Sequence, residues 1–193
     1  MSIINHKYKH VFVHVPKTAG TSMEKMHFVG GSGHESFQEL VAKSDFNPTY
    51  FKWAFVRNPY TRIASAFFYL RNNRRIFRNL NFHDFVYKIE ELIDGDLNVH
   101  IIPQYEFLKC NKSIMDFIGK YENLICHWPH IIVRIVEITN DKKLLRTPNS
   151  HIISRNNVTL FKPNDYMGLY TNELKNKIYK IYEKDFDIFK YQQ

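Results

Sequence analysis

The residues with the most chemical potential stand in the stretch VFVHVPKTAGTSMEK, residues 11–25. A run of valines and aromatics gives way to Pro16, Lys17, Thr18, Ala19, Gly20, Thr21 and Ser22. A loop that carries a strand into a helix gathers unpaired backbone N–H groups and the positive end of the helix dipole, which makes it a ready anion site. Gly20 permits close backbone approach. Thr18, Thr21 and Ser22 add hydroxyl donors, and Lys17 adds a full positive charge. The nucleoside-triphosphate version of such a loop reads G-x-x-x-x-G-K-[ST]. Here no glycine opens the loop and the lysine precedes Gly20, so the magnesium-dependent phosphoryl-transfer layout is not reproduced. Taken alone, PKTAGTS also reads as an ordinary tight turn with a helix cap.

A second stretch, FVRNPYTRIASAF, changes the balance. It places Arg57 at the end of another apolar run, just before an Asn-Pro breaker, and Ser65 on the helix that follows. Ligands of open α/β sheets collect at the carboxyl ends of strands, which is where both loops fall in this reading. A planar guanidinium suits a phosphate dianion, and the Ser65 hydroxyl is placed to donate to the same group. Arg62 lies about three-quarters of a helical turn back from Ser65 and is expected to face solvent. Two separate anion subsites fit a nucleotide charged at two places better than a linear triphosphate.

Other candidates are weaker. His14, next to the first loop, is expected to brace it from the strand. CHWPHII offers Cys126, His127 and His130 as metal-ligand types, but no second pair elsewhere completes a zinc set, so packing is preferred and no metal is expected. RNNRRIFR, with Arg71, Arg74, Arg75 and Arg78, reads equally as a docking surface for an acidic acceptor and as a solvated face.

The elements that must position these residues follow from pattern. Strands are expected over 9–15 and 50–59, the second ended by Asn58-Pro59. Helices are expected over 22–29, closed by Gly30 and Gly31, and over 60–71, 82–93 and 171–191, each with apolar residues on one face. Residues 113–124 read as a helix capped by Ser113, then Gly119, then a short strand; 125–136 are open between helix and strand, and 147–163 read as a long polar loop. Two strand–turn–helix units predict a single α/β domain over 1–193. It is P-loop-like, with a parallel sheet of about four or five strands and helices on both faces. A chain of 193 residues with 44% hydrophobic content can bury one full core, and the 7 Gly and 7 Pro leave little room for disordered linkers. Two cysteines cannot form a disulfide framework. A net charge of +8 favours an anionic partner without choosing one. The N-terminus lacks a signal-peptide pattern and no run of about 18 apolar residues exists to span a bilayer, so a soluble, cytoplasmic protein is expected.

PKTAGTS and FVRNPYTRIASAF together resemble the 5′-phosphosulfate and 3′-phosphate loops of sulfotransferases that use 3′-phosphoadenosine 5′-phosphosulfate (PAPS). The similarity is closest to the carbohydrate-sulfating branch, which includes the heparan sulfate 2-O-sulfotransferases and small bacterial relatives. GHESF, HIIPQYEFL, DFIGKYENL and IYEKDFDIFKY add further landmarks in the expected order. The resemblance implies that Lys17, Thr18, Ala19, Gly20, Thr21 and Ser22 hold the 5′ end of PAPS and Arg57 and Ser65 its 3′-phosphate. Lys17 would stabilise charge on the bridging oxygen as the S–O bond breaks, which needs no metal. His34, in GHESF, matches the H-x-x-F position that supplies the base, although nothing in its sequence position brings it beside Lys17. His100 and Gln104, in HIIPQ, would line the acceptor cleft, with His100 the second choice as base. Ser154 and Arg155 lie in a late loop that covers the cofactor in relatives. Here Ile153 stands where relatives often carry asparagine. Two other readings are set against this one. A P-loop nucleotide kinase conflicts with the lysine placement. A non-catalytic nucleic-acid-binding module rests only on charge and aromatic content.

Overall fold

The computed structural model describes residues 2–20, 23, 33–95, 98–146 and 166–193. Thr21, Ser22, Ser154, Arg155, the expected helix over 22–29 and the loop over 147–163 lie wholly or largely outside these residues. The chain divides into two compact units, Met1–Val56 with Glu106–Asn157, and Arg57–Tyr105 with Val158–Gln193.

In the first unit four strands, β1 (Ile3–Asn5), β2 (His10–Val13), β3 (Phe51–Val56) and β4 (Phe117–Lys120), pair in the order β1-β2-β3-β4. β2, β3 and β4 run parallel, with Val13 opposite Ala54 and Val56 opposite Lys120. β2 and β3 are buried along their whole length, as their near-continuous apolar runs require. β1 was not expected, and it makes the sheet mixed rather than parallel, because it pairs antiparallel with β2. Only residues 6–9 separate the two, and a parallel crossover needs a dozen residues or more.

The helix expected from Ser113 does not form, and the short strand expected after Gly119 comes earlier, as β4 over 117–120, with a 3₁₀ turn, Tyr121–Asn123, after it. Pairing to β3 overrides the local pattern. Lys52 and Asp116 pin the start of β4. The Lys52 N–H donates to Asp116 Oδ2 at 2.7 Å, the Asp116 N–H donates to the Lys52 carbonyl at 2.8 Å, and the two side chains form an ion pair at 2.8 Å. Gly119 is required farther along, since a Cβ there would sit 2.4 Å from Cε1 of Phe55.

Two helices complete this unit. The stretch left open over 125–136 is helical and belongs to α5 (Leu124–Thr139). It buries Trp128, Ile131, Ile132 and Ile135 against Phe12, Trp53 and Phe55. Each such side chain contributes about 1.5–3 kcal/mol when fully buried. A short helix, α1 (Phe37–Val41), starts with a capping box in which Ser36 accepts from the Glu39 N–H and Glu39 accepts from the Ser36 N–H.

The second unit is helical. α2 (Pro59–Phe68) has Asn58 as its N-cap and Pro59 in its first turn, then runs into a π turn over Tyr69–Asn73. α3 (Phe82–Ile93) has the expected bounds, the short α4 (Gln104–Leu108) begins in this unit and ends in the first, and α6 (Asn172–Phe189) is capped by Thr171 and departs from helical geometry at Tyr182. Ile63, Phe67, Phe85, Ile89, Ile178 and Phe186 form its core. No helix among the described residues is long and apolar enough to cross a membrane.

Candidate functional site

The first loop leaves β2 at Val13. Lys17 and Ala19 both take positive φ, 71° and 75°, with Thr18 between them on the ordinary side. Non-glycine residues rarely adopt this conformation. Alternation of handedness can turn successive N–H groups toward one side, the backbone pattern of an anion-holding nest. The Thr18 hydroxyl, its one donor, is spent on the Val15 carbonyl at 2.7 Å, so the side chain staples the loop from within. The Met23 N–H donates to the Ala19 carbonyl at 3.2 Å, and the chain is already helical at Gly20.

Gly20 is needed for a reason the sequence did not disclose. A Cβ there would lie 1.8 Å from Nε2 of His14 and 2.3 Å from its Cε1. The His14 ring is buried against the Gly20 backbone and stacks on Phe12 at 6.0 Å, which is the bracing role read for it.

His34 lies 4.7 Å from the His14 ring, centroid to centroid. The connection is made by Ser2. Its hydroxyl accepts from the His14 N–H at 3.0 Å and donates to the Glu35 carbonyl at 2.8 Å, while its own N–H donates to Gly33 at 3.3 Å. The capping box of α1 fixes the same segment from the other end. Burial holds the His34 imidazole below the ordinary pKa of 6.5, and the Lys17 ammonium pushes in the same direction, against a hydrogen bond to the His14 backbone. His34 is therefore neutral at pH 7, and its ring senses the Lys17 charge. Glu35, the next residue in the chain, pairs with Lys43 at 2.8 Å.

In the second unit Arg57 is 5% exposed. Its Nε donates to the Thr61 hydroxyl at 3.0 Å, and its guanidinium lies 5.7 Å from the Tyr166 ring centre. Ser65, also buried, stands one turn beyond Thr61 on the same face of α2. The Gln104 side-chain amide grips the Arg57 backbone. Oε1 accepts from the Arg57 N–H and Nε2 donates to its carbonyl, both at 2.8 Å. Gln104 is fully buried, and His100 is nearly so, its ring edge-on to Tyr69 at 5.0 Å.

Arg62 does not face solvent. It is 0% exposed and donates to the carbonyls of His100, Ile101 and Ile102. Those three backbone acceptors, which no helical spacing reveals, take the terminal guanidinium N–H groups, and Asp185 supplies the opposite charge. Arg71 is half-buried with its guanidinium 5.8 Å from the Phe67 ring, whereas Arg74 and Arg75 are exposed.

Sequence reasoning missed Ser2, Thr61, Tyr166 and Asp185. Only Asp185 left a signal, as an acid within the apolar stripe of α6. In CHWPHII the His127 Nδ1 accepts from the Lys120 N–H at 2.9 Å. No group of three metal-ligating side chains occurs among the described residues. A cleft of about 750 Å³ opens at the amino ends of β3 and β4, lined by Phe51, Lys52, Asp116, Phe117, His127 and Arg134 among others. It lies opposite the sheet edge where α/β proteins hold ligands, and of the residues singled out for chemistry it holds only His127 and His130 of CHWPHII.

A model of the sulfotransferase family matches residues 1–192. A protein of Archaeoglobus fulgidus, described only as an uncharacterized protein, is 41% identical over 76 residues, a stretch covering 39% of this chain and 58% of that protein. No solved structure matches the chain significantly.

Proposed function

The chain belongs to the sulfotransferase family, and from that premise we propose that it moves a sulfuryl group from PAPS to a hydroxyl of a carbohydrate acceptor. The observation that most supports this reading is a neutral, half-buried His34 imidazole within the electrostatic reach of Lys17. In this P-loop-like reading, with 1–193 acting as one catalytic domain, Thr18, Ala19, Gly20, Thr21 and Ser22 cradle the 5′-phosphosulfate. Arg57 and Ser65 take the 3′-phosphate. Ser154 and Arg155 join the cofactor contacts on resemblance alone.

PAPS supplies the sulfuryl group. The acceptor oxygen bonds to sulfur as the bond from sulfur to the bridging oxygen breaks, and 3′-phosphoadenosine 5′-phosphate (PAP) departs. His34 takes the proton of the acceptor hydroxyl, a task for which an imidazole neutral at pH 7 is ready. The Lys17 ammonium meets the charge that grows on the bridging oxygen, where a fixed cation contributes most. Arg71, Arg74 and Arg75 provide a cationic approach for an acidic glycan. His100 supports the acceptor side from a buried position, while the Gln104 amide holds the Arg57 backbone.

Transfer of labelled sulfate from PAPS across a panel of glycans tests the reaction, with Lys17→Ala and His34→Ala as controls. Thermal-shift measurements with PAP, with ATP and magnesium, and with an oligonucleotide test the donor. Stabilisation by ATP and magnesium but not by PAP would refute the reading, and a His34→Ala enzyme turning over at the parent rate would remove His34 as base.

A further inference from the structure

Asp185 is a carboxylate with no exposure at all, set among Ile178, Tyr182, Phe186 and Phe189 on α6. A buried charge persists only where partners satisfy it, and its hydrogen bonds all run to one short segment. Oδ2 accepts from the Gln104 N–H at 2.8 Å and from Gln104 Nε2 at 3.3 Å, while Oδ1 accepts from the Tyr105 N–H at 2.9 Å. Arg62 supplies the opposite charge. It also holds the carbonyls of residues 100, 101 and 102, with the Tyr182 hydroxyl donating to Ile101 as well. Residues 100–105 are therefore fixed at their carbonyls by two side chains and at their N–H groups by a third.

The product of this fixation is the orientation of one amide, that of Gln104. Its two 2.8 Å bonds to the N–H and carbonyl of Arg57 imitate the pairing a neighbouring strand would give, at the residue just past the end of β3. Buried ion pairs are seldom the most stable way to fill a core, since apolar residues of similar volume often do as well. What this network gives that an apolar core would not is a defined backbone position for Arg57.

We propose that Gln104 and Asp185 are positioning residues that set the Arg57 guanidinium for the 3′-phosphate of the nucleotide. This rests on the assignment of Arg57 to that phosphate. The test is calorimetric binding of PAP and of AMP, which lacks the 3′-phosphate, to the full chain and to its Gln104→Leu and Asp185→Asn variants. Asp185→Asn is isosteric and carries the test if Gln104→Leu does not fold. The parent should prefer PAP, and in a folded variant that preference should fall about tenfold or more, as a misplacement of about 1 Å can cause, with AMP affinity held within about twofold. An unchanged PAP-to-AMP ratio in a folded variant, or an equal loss for both nucleotides, overturns the positioning role. A parent chain that binds AMP as tightly as PAP overturns the Arg57 assignment itself, and the positioning role with it.

Discussion

Replacing Gly20 by alanine adds a single methyl group to the loop, and the structure fixes where that methyl must go. Its Cβ would stand 1.8 Å from Nε2 of His14, 2.3 Å from Cε1 and 2.4 Å from Cδ2, so it meets the whole edge of the ring rather than one movable atom. An ordinary contact begins near 3.4 Å, so the ring or the loop must yield by roughly 1.6 Å. The ring has little freedom to do so, since it is buried, stacks on Phe12 at 6.0 Å and neighbours His34 at 4.7 Å. Overpacking of this kind costs about 1–3 kcal/mol. In a chain of this length that lowers Tm by roughly 2–12 °C. If the His14 ring moves, His34 moves with it, and a shift of that size at the proposed base should cost on the order of 100-fold in rate.

Calorimetry and labelled-sulfate transfer measure the two effects separately, and a second substitution isolates their cause. In a His14→Ala background the obstructing ring is gone, so Gly20→Ala should cost far less stability than it does in the parent. An equal loss of Tm in both backgrounds would show that Gly20 is needed for something other than the packing of His14. A Gly20→Ala chain with the parent Tm and rate would refute the reasoning outright.

Three further outcomes follow. Burial and the Lys17 charge hold the His34 pKa below 6.5, so the acid limb of kcat/KM should have its midpoint below that value, and the midpoint of the His34 NMR titration should rise in Lys17→Met. A midpoint at or above 6.5, or one indifferent to Lys17, would count against the base assignment. Because the folded pKa is depressed, the contribution of His34 to stability is present above about pH 6.5 and is lost as pH falls through the folded value. Gly119→Ala should destabilise the first unit by about 1–3 kcal/mol in urea denaturation, since the added carbon meets the Phe55 ring at 2.4 Å, and an unchanged urea midpoint would contradict the packing described. Asp185→Ala leaves Arg62 buried without its counter-charge and should cost about 3–5 kcal/mol. Most of that loss should return when Arg62 is also replaced by methionine, and a stable single variant would show that the pair carries no such strain.

The sequence revealed what is local. Lys17 and Arg57 could be singled out because each stands at a break between an apolar run and a helical pattern, and the break itself is written in prolines, asparagine and glycine. What it hid depends on contacts between distant segments. Nothing about residue 2 announces that a serine hydroxyl will tie the end of β2 to the segment bearing His34. The helix expected from Ser113 failed for a similar reason, because a buried lysine sixty-four residues before Asp116 anchors it and starts the strand ahead of Gly119 rather than after it.

The same distinction changes how the landmark strings should be understood. HIIPQ and IYEKDFDIF look like two separate features of the family, the first placed in the acceptor cleft. In the structure they are the two sides of one buried contact, Gln104 against Asp185 across 81 residues of chain, and that contact ends on the backbone of Arg57. A string that marks a family need not touch a ligand. A charged or amide side chain within an apolar helical stripe is better read first as a clamp, and the residue it clamps is the better place to look for chemistry.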